Sequence, residues 1–275
     1  MAEQLLTTSI QSPGFQGLNK QDSAVGLDSG FATKAENCVI DKYGRIGARQ
    51  GWETAHSVVS SIADQHIRFL FEFMMVDGTS YKLVGVGNKL WKLSGSTLSE
   101  VTYGGGGSAP TISADNWQAA SLNNKAYLYQ RGHDPLIFDP SVSTTSYKRI
   151  SEASGYLGTV QQGNCVISAF GRLWSAGAAD DKSVIQFSDI QNGQILSTGT
   201  AGELDLSSVW PDGEVEVVAM AAHNNLLYIF GRRQILSYQD PDDPYTMRVR
   251  DTLTGIGCIA RDSVQVAGSD VIFLS

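Results

Sequence analysis

A short phrase recurs through this chain and constrains its fold more than any other feature. A turn residue such as Gly, Asn or Asp is followed within a few positions by apolar residues that include one aromatic ring. The aromatic residues are Trp91, Tyr127, Trp174, Tyr228 and Phe273, and successive ones are between 36 and 54 residues apart. A recurrence near 45 residues with several short strands in each unit is typical of β-propeller blades. Because one small sheet cannot bury both of its faces, we expect successive sheets to stack face to face around an axis.

The composition agrees with an all-β fold made of short strands. The chain has 275 residues, of which 42% are hydrophobic and only 17% are charged, and 29 are glycine. This length suffices for one large all-β domain. Glycine adopts the backbone conformations that tight turns need, so many glycines favour many turns.

Residues 1–52 are predicted to form an N-terminal arm and docking segment. Residues 1–22 are polar and contain two glycines, Gly14 and Gly17, so we expect an extended arm that is ordered only by a partner. Ser29 could cap a short helix over residues 31–39, where apolar residues recur at helical spacing. Ile40 and Ile46 flank a turn that contains Gly44, which predicts a hairpin.

Residues 53–275 are predicted to form about four complete blades and the start of a fifth. The four glycines at 104–107 are interpreted as a loop between blades, and residues 189–213 as a longer polar connection. An array that stops inside a blade leaves unpaired strand edges, so we expect a fragment of a longer protein, or else closure by a partner. The predicted strands are 67–75, 81–86, 89–93 and 98–102; 117–121, 125–130, 136–139 and 147–150; 165–169, 172–175 and 183–187; 215–221, 226–230, 235–238 and 247–249; and 263–266 and 271–275.

The motifs of common enzymes are missing from the sequence. There is no GxSxG elbow and no HExxH helix, and the four histidines lie in separate units. Residues 255–260 match G-x-G-x-x-A, but without the strand and helix that a dinucleotide site needs, so a strand with a turn is favoured. We therefore predict no enzyme activity, no catalytic residue and no cofactor.

Two further groups of residues are candidate binding sites. Asp240, Asp242 and Asp243 form the densest acidic cluster and could bind Ca²⁺ through oxygen, but the intervening prolines favour a rigid exposed turn, so no metal is predicted. Trp210 and Tyr245 could contact a sugar if they are exposed, although packing within the blades is the commoner role of such rings.

Cysteine usage and charge exclude several classes of protein. Cys38, Cys165 and Cys258 are far apart and odd in number, so neither a disulfide framework nor a zinc site is expected. The net charge is −8, which argues against a groove that grips DNA. We also expect no signal peptide and no membrane-spanning segment.

Several phrases of this sequence resemble one family of viral proteins. They are residues 17–19, 27–32, 36–40, 44–46 and 49–52, then 170–174 with 185–189, 227–231 with 234–238, and 255–257 with 271–275. In this order they resemble the tail nozzle proteins of short-tailed (podovirus-type) bacteriophages, a group that includes the packaged-DNA stabilisation proteins. Members of this family are usually longer than 275 residues.

The resemblance implies a propeller-like structural subunit in a homohexameric ring below the portal and the head-tail adaptor. Such a ring is part of the virion tail, is made in the host cytoplasm, contacts tail fibres or spikes, and lets phage DNA pass without specific binding. Residues 1–22 would dock on the adaptor, and the acidic balance suggests an acidic or neutral inner face. The alternatives are a carbohydrate- or receptor-binding propeller of a phage tail and, as a third, a propeller hydrolase.

Overall fold

The chain divides into two compact units, Met1–Ala55 and His56–Ser275. The computed structural model of the protein describes part of the first unit and most of the second. The described residues are 15–28, 30–40, 43, 45–51, 53, 62, 65–112, 116–211 and 216–275. Residues 1–14 of the predicted arm therefore lie outside the described residues.

The first unit contains two small two-stranded sheets. Strands β1 (Gly17–Leu18) and β2 (Phe31–Ala32) pair in parallel. Strands β3 (Cys38–Ile40) and β4 (Ile46–Ala48) form an antiparallel hairpin in which Ile40 lies opposite Ile46. The predicted hairpin is thus confirmed.

The predicted short helix over residues 31–39 is wrong. Both ends of this segment are strands whose backbone groups bond to β1 and β4, so helical spacing of the apolar residues did not decide the conformation. Between them, Asn37 has a φ of 52°, which a right-handed helix does not allow. Ser29, the predicted cap, lies outside the described residues.

The second unit is an array of antiparallel sheets, and this confirms the predicted all-β, propeller-like fold. We number its sheets in chain order. The first has β5 (Ile67–Met74), β6 (Ser80–Val86), β7 (Lys89–Ser94) and β8 (Thr97–Tyr103); the second has β9 (Gln118–Leu122), β10 (Lys125–Tyr129), β11 (Leu136–Phe138) and β12 (Ser146–Arg149); the third has β13 (Cys165–Ala169), β14 (Arg172–Ala176), β15 (Val184–Phe187) and β16 (Gly202–Asp205); the fourth has β17 (Ala219–His223), β18 (Leu226–Phe230), β19 (Gln234–Gln239) and β20 (Arg248–Thr254); and the fifth has β21 (Gln265–Ala267) and β22 (Asp270–Ile272). Short 3-10 turns lie at Ile150–Glu152 and Arg261–Ser263.

Two features of the array differ from the simplest propeller. The outer strands of the first two sheets, β8 and β12, pair in parallel, so these sheets join into one eight-stranded sheet. In the third sheet, the sequence did not predict β16, which lies in the stretch interpreted as a polar connection. Its Leu204 pairs with Ile185 of β15, and the strand alternates polar and apolar side chains at the edge of the sheet.

Tight turns explain the recurring phrase. In the second and fourth sheets, Asn123-Asn124 and Asn224-Asn225 have positive φ angles at both positions, as two-residue hairpin turns require. The aromatic residue then falls on the second strand of the sheet. In the first sheet Trp91 lies on the third strand, and the aromatic residue of the second strand, β6, is Tyr81, 46 residues before Tyr127. The true repeat is therefore more regular than the phrase suggested.

Apolar side chains fill the spaces between successive sheets. The first strands of the sheets, β5, β9, β13, β17 and β21, are neighbours around the centre of the array. The layer between the first and second sheets is built around Phe73, Leu90 and Phe138, and the layer between the third and fourth around Trp174 and Leu236. Burial of these layers holds the sheets in their stacked order.

Candidate functional site: the axis and the two ends of the array

Arg261 links three sheets near the centre of the array. Its guanidinium donates to the backbone carbonyl of Asn164 at 2.5 Å and to that of Asn116, while the neighbouring Asp262 carboxylate accepts from Nε at 2.8 Å. Asn116 precedes β9 and Asn164 precedes β13, so the side chain connects the starts of two inner strands to the turn before β21. The five N–H donors of arginine make it suited to this bridging role.

A second bridge lies between Arg131 and Glu216. Arg131 Nε donates to the carbonyl of Gly177 at 2.8 Å, and its Nη2 pairs with the Glu216 carboxylate. Burial alone would raise the pKa of Glu216, but Arg131, together with Arg232 and Lys182, holds it below its ordinary value. Both arginine clusters thus use their charges to join sheets, and no sequence pattern indicates them because the partners lie far apart along the chain.

The reactive side chains considered from the sequence are dispersed. Among the described residues, no three His, Cys, Asp or Glu side chains are close enough together to hold a metal ion. His133 packs against Trp117 with ring centroids 5.5 Å apart, and the His223 ring bonds to the Ser269 carbonyl at 2.7 Å. Burial raises the pKa of the Cys165 thiol to about 12, which keeps it protonated and unreactive at neutral pH. His56 lies outside the described residues.

The acidic cluster at residues 240–244 forms an exposed turn. Asp240, Asp242 and Asp243 face solvent, whereas Pro241 and Pro244 are buried. The Asp243 carboxylate accepts the backbone N–H of Tyr245 at 3.2 Å, which stabilises the turn.

The two aromatic residues considered for sugar binding differ in exposure. Trp210 is 3% exposed and packs in the layer between the third and fourth sheets, so it has the commoner role of packing within the blades and is not placed to contact a sugar. Its position after β16 brings it against the core, where its large apolar surface is removed from water. Tyr245 is exposed, and its hydroxyl donates to the Ala201 carbonyl at 2.7 Å.

The glycine motif at residues 255–260 has a packing role. A Cβ atom on Gly257 would lie 2.4 Å from the carbonyl oxygen of Gly231, in the turn between β18 and β19. Only glycine permits this close approach of two backbones. The motif follows β20 and precedes a short 3-10 turn, without the helix of a phosphate site.

Exposed apolar side chains are concentrated at the two ends of the array. The β5 surface consists of Leu70 and Met74 on β5, which point away from the core because alternate residues of a strand face opposite sides, and of Val76 in the turn that follows. The C-terminal surface consists of exposed residues on and after β20: Leu253, Val266, Ile272 and Leu274. Of the described residues between 77 and 244, only Val142, Leu157 and Ile190 are large apolar side chains with comparable exposure.

Comparison with known proteins finds similarity only among solved structures. No protein-family model matches the chain, and no curated protein matches it. One similar structure is the extracellular domain of a protein described as a hybrid two component system, BT4673 of B. thetaiotaomicron, with a TM-score of 0.37 and 11% identity over 79% of this chain and 31% of that one. Another is BBS1N in complex with ARL6DN, with a TM-score of 0.38 and 9% identity over 82% of this chain and 64% of that one. The chain spans less than two thirds of either structure's length, and similarity at this level carries no argument about function.

Within the described part of the chain, no helix has the length and apolar character that crossing a membrane requires.

Proposed function

We propose that this chain is a structural subunit of the tail nozzle ring of a short-tailed phage. In this role it docks below the portal and adaptor, carries fibres or spikes, and helps to form the conduit in which the genome is retained and through which it leaves. The proposal joins the ordered series of family-like phrases in the sequence to the location of the exposed apolar surfaces in the fold.

The observation that carries the proposal is the unequal distribution of apolar exposure. The inner sheets are covered on both faces, but the β5 surface and the C-terminal surface present large apolar side chains to solvent. Contiguous apolar surface on a folded protein usually marks a contact with another protein. We infer that a second copy of this chain covers both surfaces in the assembly.

The two surfaces belong to different strands and have different residues. A contact between the β5 surface of one copy and the C-terminal surface of the next is therefore heterologous. Repeated contacts of this kind produce a ring when the rotation between copies closes. A ring agrees with the homohexamer that the family resemblance implies.

The N-terminal unit supplies the candidate docking element for the adaptor. Besides the arm of residues 1–22, the β3–β4 hairpin exposes Val39, Ile40, Tyr43 and Ile46. A hairpin that leaves its apolar side chains in water is suited to binding another protein, since covering them would stabilise the complex.

A matched pair of variants tests the assembly. Leu70 is 70% exposed and Met74 is 69% exposed, so L70S/M74S removes apolar surface while the core keeps its packing. V142S changes a residue of equal exposure, 71%, away from both ends of the array. Negative-stain class averages and sedimentation velocity should show rings for the wild type and V142S, and monomers for L70S/M74S.

The same preparation separates the alternatives. A wild-type chain that stays monomeric at all concentrations, or an L70S/M74S variant that forms the same rings, would overturn the ring proposal. A carbohydrate- or receptor-binding propeller predicts glycan binding without rings, and a propeller hydrolase predicts turnover of a glycan substrate.

A further inference from the structure

A cleft with both polar and apolar lining lies between the second and third sheets. Its volume is about 310 Å³, at the small end of the range for ligand sites. Lys125, Ile137 and Lys148, on three neighbouring strands of the second sheet, line one side. Gln194, from the loop that follows β15, lines the other side. The remaining lining comes from Asp139, from serine residues at 141, 143, 146 and 154, and from Val142, Tyr147 and Ala153.

The charged groups of the cleft are held in a fixed network. Lys125 Nζ lies 3.0 Å from Asp139 Oδ2 and donates to Gln194 Oε1 at 2.5 Å. Gln194 Nε2 donates to the Ser154 carbonyl at 2.6 Å, and the Ser141 backbone N–H and hydroxyl both donate to Asp139 Oδ1. Because only 3% of Gln194 is exposed, these groups cannot reorient freely. The cleft is therefore organised before any ligand binds.

Counting partners among the described residues alone, this network leaves hydrogen-bonding capacity unused. An ammonium group has three donors and Lys125 uses two, while the amide nitrogen of Gln194 has two and uses one. The Asp139 carboxylate keeps free lone pairs. Burial would raise its pKa, but Ser141 and Lys125 hold the pKa below its ordinary value, so Asp139 is charged at neutral pH. A ligand with both hydroxyl donors and acceptors would satisfy these groups.

Lys148 adds a positive charge that the protein does not balance. It lies opposite Ile137 in the β11–β12 ladder, is half-buried, and has no hydrogen-bond or ion-pair partner among the residues that the structure describes. Lys125 is neutralised by Asp139, so the lining as a whole carries one excess positive charge. A partly desolvated cation of this kind is stabilised by an anion.

We propose that this cleft binds a small carboxylated sugar of the uronate class. The carboxylate pairs with Lys148, and the ring hydroxyls donate to Asp139 and accept from Lys125 and Gln194. Inorganic phosphate fits less well, because at neutral pH it offers few donors to Asp139 and is repelled by its charge. The inference rests on the cleft alone and does not depend on ring formation.

Titration calorimetry of the full chain tests this site. We expect D-glucuronate to bind saturably, and at least about tenfold more tightly than D-glucose or inorganic phosphate, a ratio equivalent to ~1.4 kcal/mol. K148Q should weaken glucuronate binding by about tenfold for the same reason. K34Q is the matched control, because Lys34 is an exposed lysine in the other unit and pairs with the exposed Glu36. It should leave the affinity unchanged.

Three results would overturn the proposal. They are the absence of saturable glucuronate binding, equal binding of glucuronate and glucose, and an unchanged affinity in K148Q. Phosphate binding tighter than glucuronate binding would also reject the sugar and indicate a simple anion site. D139N keeps the shape of the cleft and adds a check: it should weaken glucuronate binding and lessen the discrimination against phosphate.

Discussion

Arg261 is 7% exposed, although arginine is seldom buried without partners. Its guanidinium bonds to the backbone before β9 and before β13, while its own backbone lies before β21. Hydrogen bonds from a charged donor are stronger than those between neutral groups. The side chain therefore contributes to holding the inner strands in register around the axis.

Replacing this arginine should destabilise the whole second unit. We expect R261A to lower the free energy of unfolding by about 2–4 kcal/mol, because two carbonyls lose a charged donor. R232A is the control, since Arg232 is an exposed arginine whose ion pair with Glu216 should contribute at most about 1 kcal/mol. Urea unfolding followed by fluorescence measures both values, and equal effects of the two substitutions would contradict the axial role of Arg261.

At the scale of the element, the second strands of the sheets differ in burial from the strands at the C-terminal end of the array. Strands β10, β14 and β18 are paired on both sides and mostly buried. Strand β20 is paired on one side only and, like the short strands β21 and β22, is mostly exposed. Local opening is easiest where few apolar contacts are lost.

Hydrogen exchange measured by mass spectrometry should show this order. We expect amides of β18 to exchange much more slowly than those of β20, although both strands belong to the fourth sheet. In the L70S/M74S variant, the β21–β22 amides should exchange quickly. In wild-type rings they should be protected, and equal exchange in the two proteins would argue against burial of the C-terminal surface between copies.

The whole molecule is acidic, with a net charge of −8. The buried Arg172 and Arg261 and the half-buried Arg131 already donate to carbonyl or carboxylate oxygens, so they do not offer free cations. A wall that holds DNA tightly needs lysine and arginine contacts to phosphate, whereas a conduit must let the duplex move. The charge of the chain agrees with passage of DNA and does not favour its retention by direct binding.

We therefore expect no measurable affinity of the assembled protein for a short DNA duplex. Fluorescence anisotropy at about 50 mM salt is a demanding condition for this prediction, because phosphate contacts are strong at low salt. Binding that appears at this concentration and falls steeply by about 200 mM would reveal a basic surface, and would contradict an acidic or neutral inner face.

The alternation of apolar residues and the turn residues by themselves determined the all-β class, the hairpin in the first unit and nearly all strands of the array. These features are local. The Asn123-Asn124 turn and the strand that follows it, for example, are encoded within a few positions. Only the tertiary structure decided four features: the conformation of residues 31–39, the pairing of the edge strand β16, the burial of Trp210 and the placement of the Arg261 side chain. Each depends on partners distant in sequence, and no local pattern specifies which backbone or side chain will lie opposite.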